Sequence, residues 1–74
     1  MYSLDKKKTG KKIKLMMYQR GITSKVLAAK MGYADSSTIN RWVRGETTPS
    51  YENLMNLSLV LRCDLEKLVH FDEV

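Results

Sequence analysis

The segment that decides the fold is TSKVLAAKMGYADSSTINRWVRG, residues 23–45. It predicts two short helices joined across Gly32 and a tight turn, because apolar residues recur at helical spacing on both sides of that glycine. Ala28 lies where the two helix axes would approach, and its small side chain permits a steep crossing. Such a crossing would hold the second of these helices away from the body of the domain.

This second helix has an apolar inner face and a polar outer face. Ile39, Trp42 and Val43 form the inner face and are expected in the core. A helix held away from the domain fits a DNA major groove about 12 Å wide. There, an arginine can pair with guanine and an asparagine with adenine. We therefore predict that the outer face of this helix contacts DNA, with side chains that suit base edges and phosphates. Its residues are Ser36, Ser37, Asn40, Arg41 and Arg44.

The rest of the chain also shows helical spacing, so we expect an all-α, compact five-helix bundle. The first helix should cover about residues 9–20, and the pair described above should cover 24–31 and the stretch ending at Arg44. Ser50 can cap a fourth helix. Asp64 can cap a fifth, short helix. No strand is expected, because no run of alternating apolar and polar residues is bounded by turn residues at both ends.

Charge is concentrated at the start of the chain. The 74 residues carry a net charge of +5, and the first twenty hold seven Lys or Arg and one acid. A basic block suits a polyanion, with nucleic acid ahead of a membrane surface; a solvated tail is the alternative. We expect a basic arm over residues 1–8, a DNA-binding domain over 9–69 and a tail over 70–74. The lysines assigned to phosphate contacts are Lys11, Lys12 and Lys14.

Several classes of function are disfavoured by what the sequence lacks. The single Cys63 and the single His70 argue against a disulfide framework, a metal site and a Ser-His-Asp triad. No carboxylate pair, activated nucleophile or phosphate loop has a workable spacing, so we expect no catalytic residue and no cofactor. No apolar run approaches about 18 residues, and no apolar segment follows the first lysines. A reduced, cytoplasmic location is the resulting expectation.

Four stretches, in order, carry a resemblance to a known family. Residues 21–32 match its G-[LI]-T-x-x-x-L-A-x-x-[LM]-G, and 37–45 look like its S-T-I-x-R-W-E-x-G. Residues 49–54 and 61–68 resemble its later landmarks. The chain is thus similar to the phage-repressor and Cro-like helix-turn-helix family, of the xenobiotic-response-element type, over about residues 10–69.

The resemblance implies a lambda-repressor-like bundle whose third helix reads double-stranded DNA. It places Ser36, Ser37, Asn40 and Arg41 at base-facing positions, and it adds Ser24. It places Thr23 and Arg44 at phosphate-facing positions. The expected function is a transcriptional regulator, either repressor or activator.

Some residues depart from the family pattern. Val43 replaces a common glutamate, and Arg62 replaces the glycine that usually ends the fourth helix. Glu46 stands in a loop that often holds lysines, and its charge would repel phosphate. The Glu46 loop, Val43 and the apolar tail keep a second class of function open: a protein-interaction module on the same fold, such as a toxin-neutralising antitoxin or an anti-repressor.

The apolar residues near the end of the chain have two interpretations. They can pack back on the core, or they can form a homodimer contact, which a reader of two half-sites needs. We favour the dimer, and the residues assigned to it are Leu65, Leu68, Val69 and Phe71.

Overall fold

A computed structural model describes all of residues 1–74, and it shows four α-helices and a two-stranded sheet rather than five helices. The helical part of the prediction is confirmed, while the fifth helix and the absence of strands are corrected. The elements are β1 (Tyr2–Leu4), α1 (Lys6–Gln19), α2 (Ser24–Lys30), α3 (Ser37–Arg44), α4 (Tyr51–Leu61), a 3-10 turn (Leu65–Lys67) and β2 (Phe71–Glu73).

The segment predicted as a fifth helix is a single 3-10 turn. Its backbone bonds run from Lys67 to Asp64 and from Leu68 to Leu65, which is the i to i+3 pattern of the tighter helix. The Asp64 side chain makes no capping hydrogen bond. The turn is short because the residues after it have other places in the fold. Leu68 is wholly buried in the core, and Phe71–Glu73 form β2.

The two ends of the chain pair with each other. β1 and β2 are antiparallel, with Tyr2 opposite Glu73 and Leu4 opposite Phe71. Beside the strands, the backbone N–H of Asp5 donates to the carbonyl of His70 at 2.8 Å. The expected basic arm over residues 1–8 is therefore replaced by a strand and the first turn of a helix.

α1 begins three residues earlier than predicted because Asp5 caps it. The Asp5 carboxylate accepts a hydrogen bond from the backbone N–H of Lys8 at 2.8 Å, and this bond lowers the pKa of Asp5. Thr9, the expected start, is instead buried inside the helix. Its hydroxyl oxygen accepts from the backbone N–H of His70 at 3.0 Å and so ties the C-terminal segment to α1.

All four helices and Leu68 contribute to the core, which consists largely of the apolar residues that the helical spacing predicted. Gly10 allows α1 to approach α3 closely. A Cβ at Gly10 would lie 2.4 Å from the Trp42 carbonyl oxygen and 2.6 Å from that of Val43. The buried apolar residues are Ile13, Met16, Met17, Leu27, Ala28, Ile39, Trp42, Leu54, Leu57, Leu61 and Leu68.

Candidate nucleic-acid interface

The turn between α2 and α3 is built from short-range contacts. Thr23 caps α2, because its hydroxyl oxygen accepts from the Val26 N–H at 3.2 Å. Gly32 adopts a φ of 79°, the left-handed conformation that ends the helix. Tyr33 then packs edge-on against Trp42, with ring centroids 6.0 Å apart at 72°. The ring pair anchors α3 from the side that faces the core.

One face of α3 is exposed and polar. Ser37, Arg41 and Arg44 are exposed at spacings of four and three residues, which places them on one side of a helix. Ile39 and Trp42 are buried on the other side. The helix therefore presents a hydroxyl and two guanidinium groups to solvent while its position is set by the core.

The other predicted base-reading residues lie near this face but are less open. Asn40 and Ser36 are half-buried, and the Asn40 amide donates to the Ser36 hydroxyl at the long distance of 3.4 Å. Ser24 is half-buried in the first turn of α2. Thr23, predicted to contact phosphate, is exposed at the cap of α2.

An acid lies at the start of α3. The Asp35 carboxylate accepts from the Ser37 hydroxyl at 2.6 Å and from the Ser37 N–H at 2.9 Å. The hydroxyl bond is the main cause of a lowered pKa at Asp35. Ser36 occupies the cap position without a side-chain capping bond, so Asp35 supplies the cap. The Ser37 hydroxyl proton is thus engaged within the protein, while its oxygen can still accept.

A second acid lies at the end of α3, where Arg44 pairs with Glu46. The distance from Arg44 Nε to Glu46 Oε2 is 2.5 Å, and the side chains are 58% and 53% exposed. This hydrogen bond raises the pKa of Arg44 and lowers that of Glu46, and the charge of Arg41 lowers the Glu46 pKa further. The carboxylate therefore stays ionised at neutral pH and occupies a guanidinium that the sequence assigned to phosphate.

The three assigned lysines do not share one surface. Lys11 and Lys14 are exposed on α1. The Lys12 ammonium donates to the carbonyls of Val69 at 2.8 Å and Glu66 at 3.2 Å. It thereby holds the C-terminal segment, and two of its three N–H donors are engaged there.

Sequence reasoning missed a lysine that the fold brings beside α3. A Cβ at Gly45 would lie 2.8 Å from the Cα of Lys7, so the first turn of α1 abuts the end of α3. That turn contains the exposed Lys6, Lys7 and Lys8, and the Asp5 carboxylate before it supplies the negative charge that a helix N-terminus favours. The run of lysines at residues 6–8 can be read from the sequence, but its position beside α3 depends on the packing of α1 against Gly45.

The residues assigned to a dimer contact are only partly available. Leu68 is wholly buried, so its assignment is wrong: the side chain fills the core of its own chain. Leu65 and Val69 are half-buried and pack against that core. Phe71 is exposed in β2.

Comparison with known proteins identifies the fold family. The helix-turn-helix family matches residues 13–68, which include all of α2, α3 and α4. The chain belongs to the helix-turn-helix family. Among curated proteins, no match to the chain was found. No helix of the chain has both the length and the apolar character needed to cross a membrane.

Solved structures share this helix-turn-helix fold. The restriction-modification controller protein C.AhdI from Aeromonas hydrophila is 25% identical, with a TM-score of 0.79 over 86% of this chain and 91% of that one. A candidate DNA-binding protein from Bacteroides fragilis is 26% identical, with a TM-score of 0.74 over 95% and 100%. The DNA-binding domain of BldD, at 16% identity and a TM-score of 0.77 over 89% and 94%, shares the fold. The family and the first two structures support a DNA-binding regulator of transcription as the general class of this helix-turn-helix protein.

Proposed function

We propose that this protein regulates transcription by binding double-stranded DNA in a sequence-specific manner, with α3 in the major groove. The observation that carries the proposal is the exposed stripe of Ser37, Arg41 and Arg44 on a helix whose opposite side is locked by Ile39 and Trp42. A rigid helix with polar side chains at its surface can hold fixed positions against base edges. C.AhdI, described as a restriction-modification controller, supports a regulatory role for the fold.

Arg41 is the residue best placed to read a base. Its side chain is exposed and, unlike that of Arg44, is not engaged in an ion pair. Its guanidinium can donate two hydrogen bonds to guanine O6 and N7. The Asn40 amide can pair with adenine after giving up its long contact with Ser36. Ser24, Ser36 and Ser37 would complete the contact with shorter, less selective hydroxyls.

Phosphate binding would flank the reading helix. Arg44 ends α3, Thr23 caps α2, and Lys11 and Lys14 extend the surface along α1. Lys7 joins this set because α1 abuts α3 at Gly45. A phosphate bound beside this turn would be attracted by its exposed ammonium groups.

Regulation would depend on where the site lies relative to a promoter. A bound protein represses when it competes with polymerase and activates when it recruits polymerase. A homodimer would read half-sites about 10 base pairs apart, centre to centre. Of the residues assigned to such a contact, Phe71 is exposed, and Leu65 and Val69 are half-buried.

Selection from a random duplex pool, followed by sequencing, tests the proposal. Enrichment of a palindrome with half-sites one helical turn apart is the expected result for a dimeric reader. Enrichment of one short half-site would retain sequence-specific binding and replace the homodimer with a monomer or a mixed complex. Background binding that depends only on salt, with no enriched sequence, would overturn the proposal.

A protein-interaction module is the second candidate, and the pairing of Arg44 with Glu46 favours it. That ion pair removes a cation from the DNA-facing surface of the free protein. An antitoxin or an anti-repressor would bind its protein partner tightly and need no selected DNA sequence. The duplex selection therefore separates the two candidates.

A further inference from the structure

The outward side of α4 carries an apolar stripe. Tyr51, Met55 and Leu59 follow one another at intervals of four residues, so they lie on one side of the helix, and they are 72%, 39% and 72% exposed. We call these three residues the α4 stripe. A surface helix usually has polar residues on its outward side. The other side of α4 packs on the core, and its buried residues are Leu54, Leu57 and Leu61.

The polar residues beside the α4 stripe allow a second surface to cover it. The Ser58 hydroxyl donates to the Met55 carbonyl at 2.7 Å, so its hydrogen bond is made within the helix. Asn56 is exposed and would remain at the rim of a contact. The chain has 13 Lys and Arg residues, but none lies in the stretch from Tyr51 to Leu61. Covering the stripe would therefore not take a cation out of water.

The two ends of α4 have opposite charge. Glu52 lies in the first turn, and Arg62 follows the last helical residue; both are exposed, and neither forms an ion pair within the chain. Arg20 adds a second cation at the C-terminal end, because its guanidinium donates to the carbonyls of Leu61 and Arg62. These two cations outnumber the acid that follows them, Asp64. A helix with this pattern is complementary to a reversed copy of itself.

Arg62 occupies a backbone position that suits glycine. Its φ is 54°, and it is the one non-glycine residue of the chain with a positive φ. A left-handed conformation is unfavourable for a residue with a Cβ. The Arg62 carbonyl that accepts from Arg20 would be present in glycine as well. What the arginine adds is a cationic side chain at the end of α4.

We propose that the α4 stripe is the contact surface of a homodimer in which two α4 helices pack antiparallel about a two-fold axis. The axis passes near the level of Leu57. Met55 of one copy then packs against Leu59 of the other, and Glu52 of one copy pairs with Arg62 of the other. Each contact occurs twice, as the symmetry of such an interface requires.

The distribution of charge selects this arrangement over its alternatives. A parallel pair would place Glu52 beside Glu52 and Arg62 beside Arg62, whereas the antiparallel pair brings opposite charges and opposite helix ends together. A different protein is disfavoured, because opposite charges at the two ends give the stripe no single sign with which to select a partner. A second copy is the partner that supplies the matching order of charges.

The small area of the contact sets its strength. α4 has 11 residues, so its outward side is about 17 Å long and about 10 Å wide. Two such sides bury less than the roughly 1,200–2,000 Å² of a stable interface. The dissociation constant is therefore expected to be in the range of tens to hundreds of micromolar. This inference goes beyond the proposed function, because the dimer needs no DNA to form.

This contact differs from the one assigned from the sequence. Leu65 and Val69 pack against the core of their own chain, and Phe71 lies in β2. The α4 stripe, in contrast, exposes two large side chains by nearly three quarters. The two surfaces share no residue, so substitutions can distinguish them.

Sedimentation equilibrium of the full chain without DNA, from about 5 to about 500 µM, tests the proposal. The unaltered chain should show a monomer–dimer equilibrium. Leu59→Ser should weaken association about tenfold or more, because the lost apolar contact occurs twice in the dimer. Leu15→Ser is the matched control: it changes a leucine of α1 that is 53% exposed, and it should associate as the unaltered chain does.

Exchanging the end charges tests the antiparallel pairing. Glu52→Arg alone, or Arg62→Glu alone, would place like charges together at both ends of the contact and should weaken association about tenfold. In an equimolar mixture of the two variants, one copy carries two cations and the other two carboxylates. The mixed dimer should therefore form at least about tenfold more tightly than either variant alone. A purely structural role for either residue would give no recovery on mixing.

The following results would overturn the proposal. The unaltered chain could remain monomeric up to about 500 µM, or Leu59→Ser could associate as strongly as the control. Loss of the dimer in Phe71→Ala but not in Leu59→Ser would place the contact at the end of the chain. Failure of the two charge variants to associate on mixing would refute the pairing of Glu52 with Arg62.

Discussion

Glu46→Gln should increase the affinity of the protein for DNA. In the free chain, the Glu46 carboxylate pairs with Arg44 at 2.5 Å, and its lowered pKa keeps it ionised at neutral pH. A phosphate must displace that carboxylate and then lie beside its negative charge. Glutamine has nearly the same shape without the charge, so the substitution frees the guanidinium for a phosphate.

The size of this effect follows from counting one additional phosphate contact. Each neutralised phosphate contributes a slope of about −0.9 to the plot of log affinity against log salt concentration. Freeing one guanidinium should therefore steepen the slope by about 0.9 and raise affinity about tenfold at 50 mM salt. Raising the salt fourfold, to 200 mM, should reduce this advantage to about threefold. The thermal unfolding midpoint should not change, because an exposed ion pair contributes little to stability.

Fluorescence anisotropy with the selected duplex, repeated at several salt concentrations, measures both quantities. Glu66→Gln is the matched control, because it removes the same charge from an exposed side chain in the 3-10 turn that follows α4. The control should bind DNA like the unaltered protein. Equal affinities and equal slopes for Glu46→Gln and the unaltered chain would refute the assignment of Arg44 to phosphate binding.

Three further predictions concern packing, the basic surface and pH. Gly10→Ala should destabilise the fold by about 2 kcal/mol in chemical denaturation, although alanine favours helices, because its Cβ would clash with carbonyls of α3; a stabilised variant would contradict the close approach. Lys11→Ala should weaken binding to all duplexes alike and reduce the salt slope, whereas Lys12→Ala should leave DNA binding unchanged and lower the thermal midpoint. The pKa values of Asp5 and Asp35 are lowered in the folded chain, so each ionised carboxylate stabilises the fold above its unfolded-state pKa, near 4. That stabilisation is lost as pH falls through the folded-state pKa, so the thermal unfolding midpoint should fall below about pH 5. A midpoint that stays constant from about pH 5 to about pH 2 would refute this prediction.

Features that depend on neighbours in sequence could be predicted from the sequence. Thr23 and Ser50 cap α2 and α4 with bonds that span three residues, and Gly32 and Gly45 end their helices with a positive φ. Such signals are local and chemical, so they require no knowledge of packing. The core positions of these helices followed from spacing for the same reason. The resemblance added the order of the helices and the identity of the reading helix.

Features that depend on distant parts of the chain could not be predicted. β1 and β2 are three residues long and pair across almost the whole sequence, so neither shows a recognisable alternation. Gly10 resembles an ordinary helical glycine until α3 is packed against it. Lys12 belongs to a run of lysines, and only the position of the C-terminal segment shows that it binds carbonyls. In each case the deciding contact is tertiary.

The measurement that tests the central claim most directly is a comparison of duplex selections by the unaltered chain and by Arg41→Ala. If α3 reads bases in the major groove, the variant should lose its preference at one base pair of each half-site, at a cost of about 1–3 kcal/mol, and keep the rest of the selected sequence. An identical preference at every position for both proteins would contradict the claim that Arg41 and the exposed face of α3 read DNA.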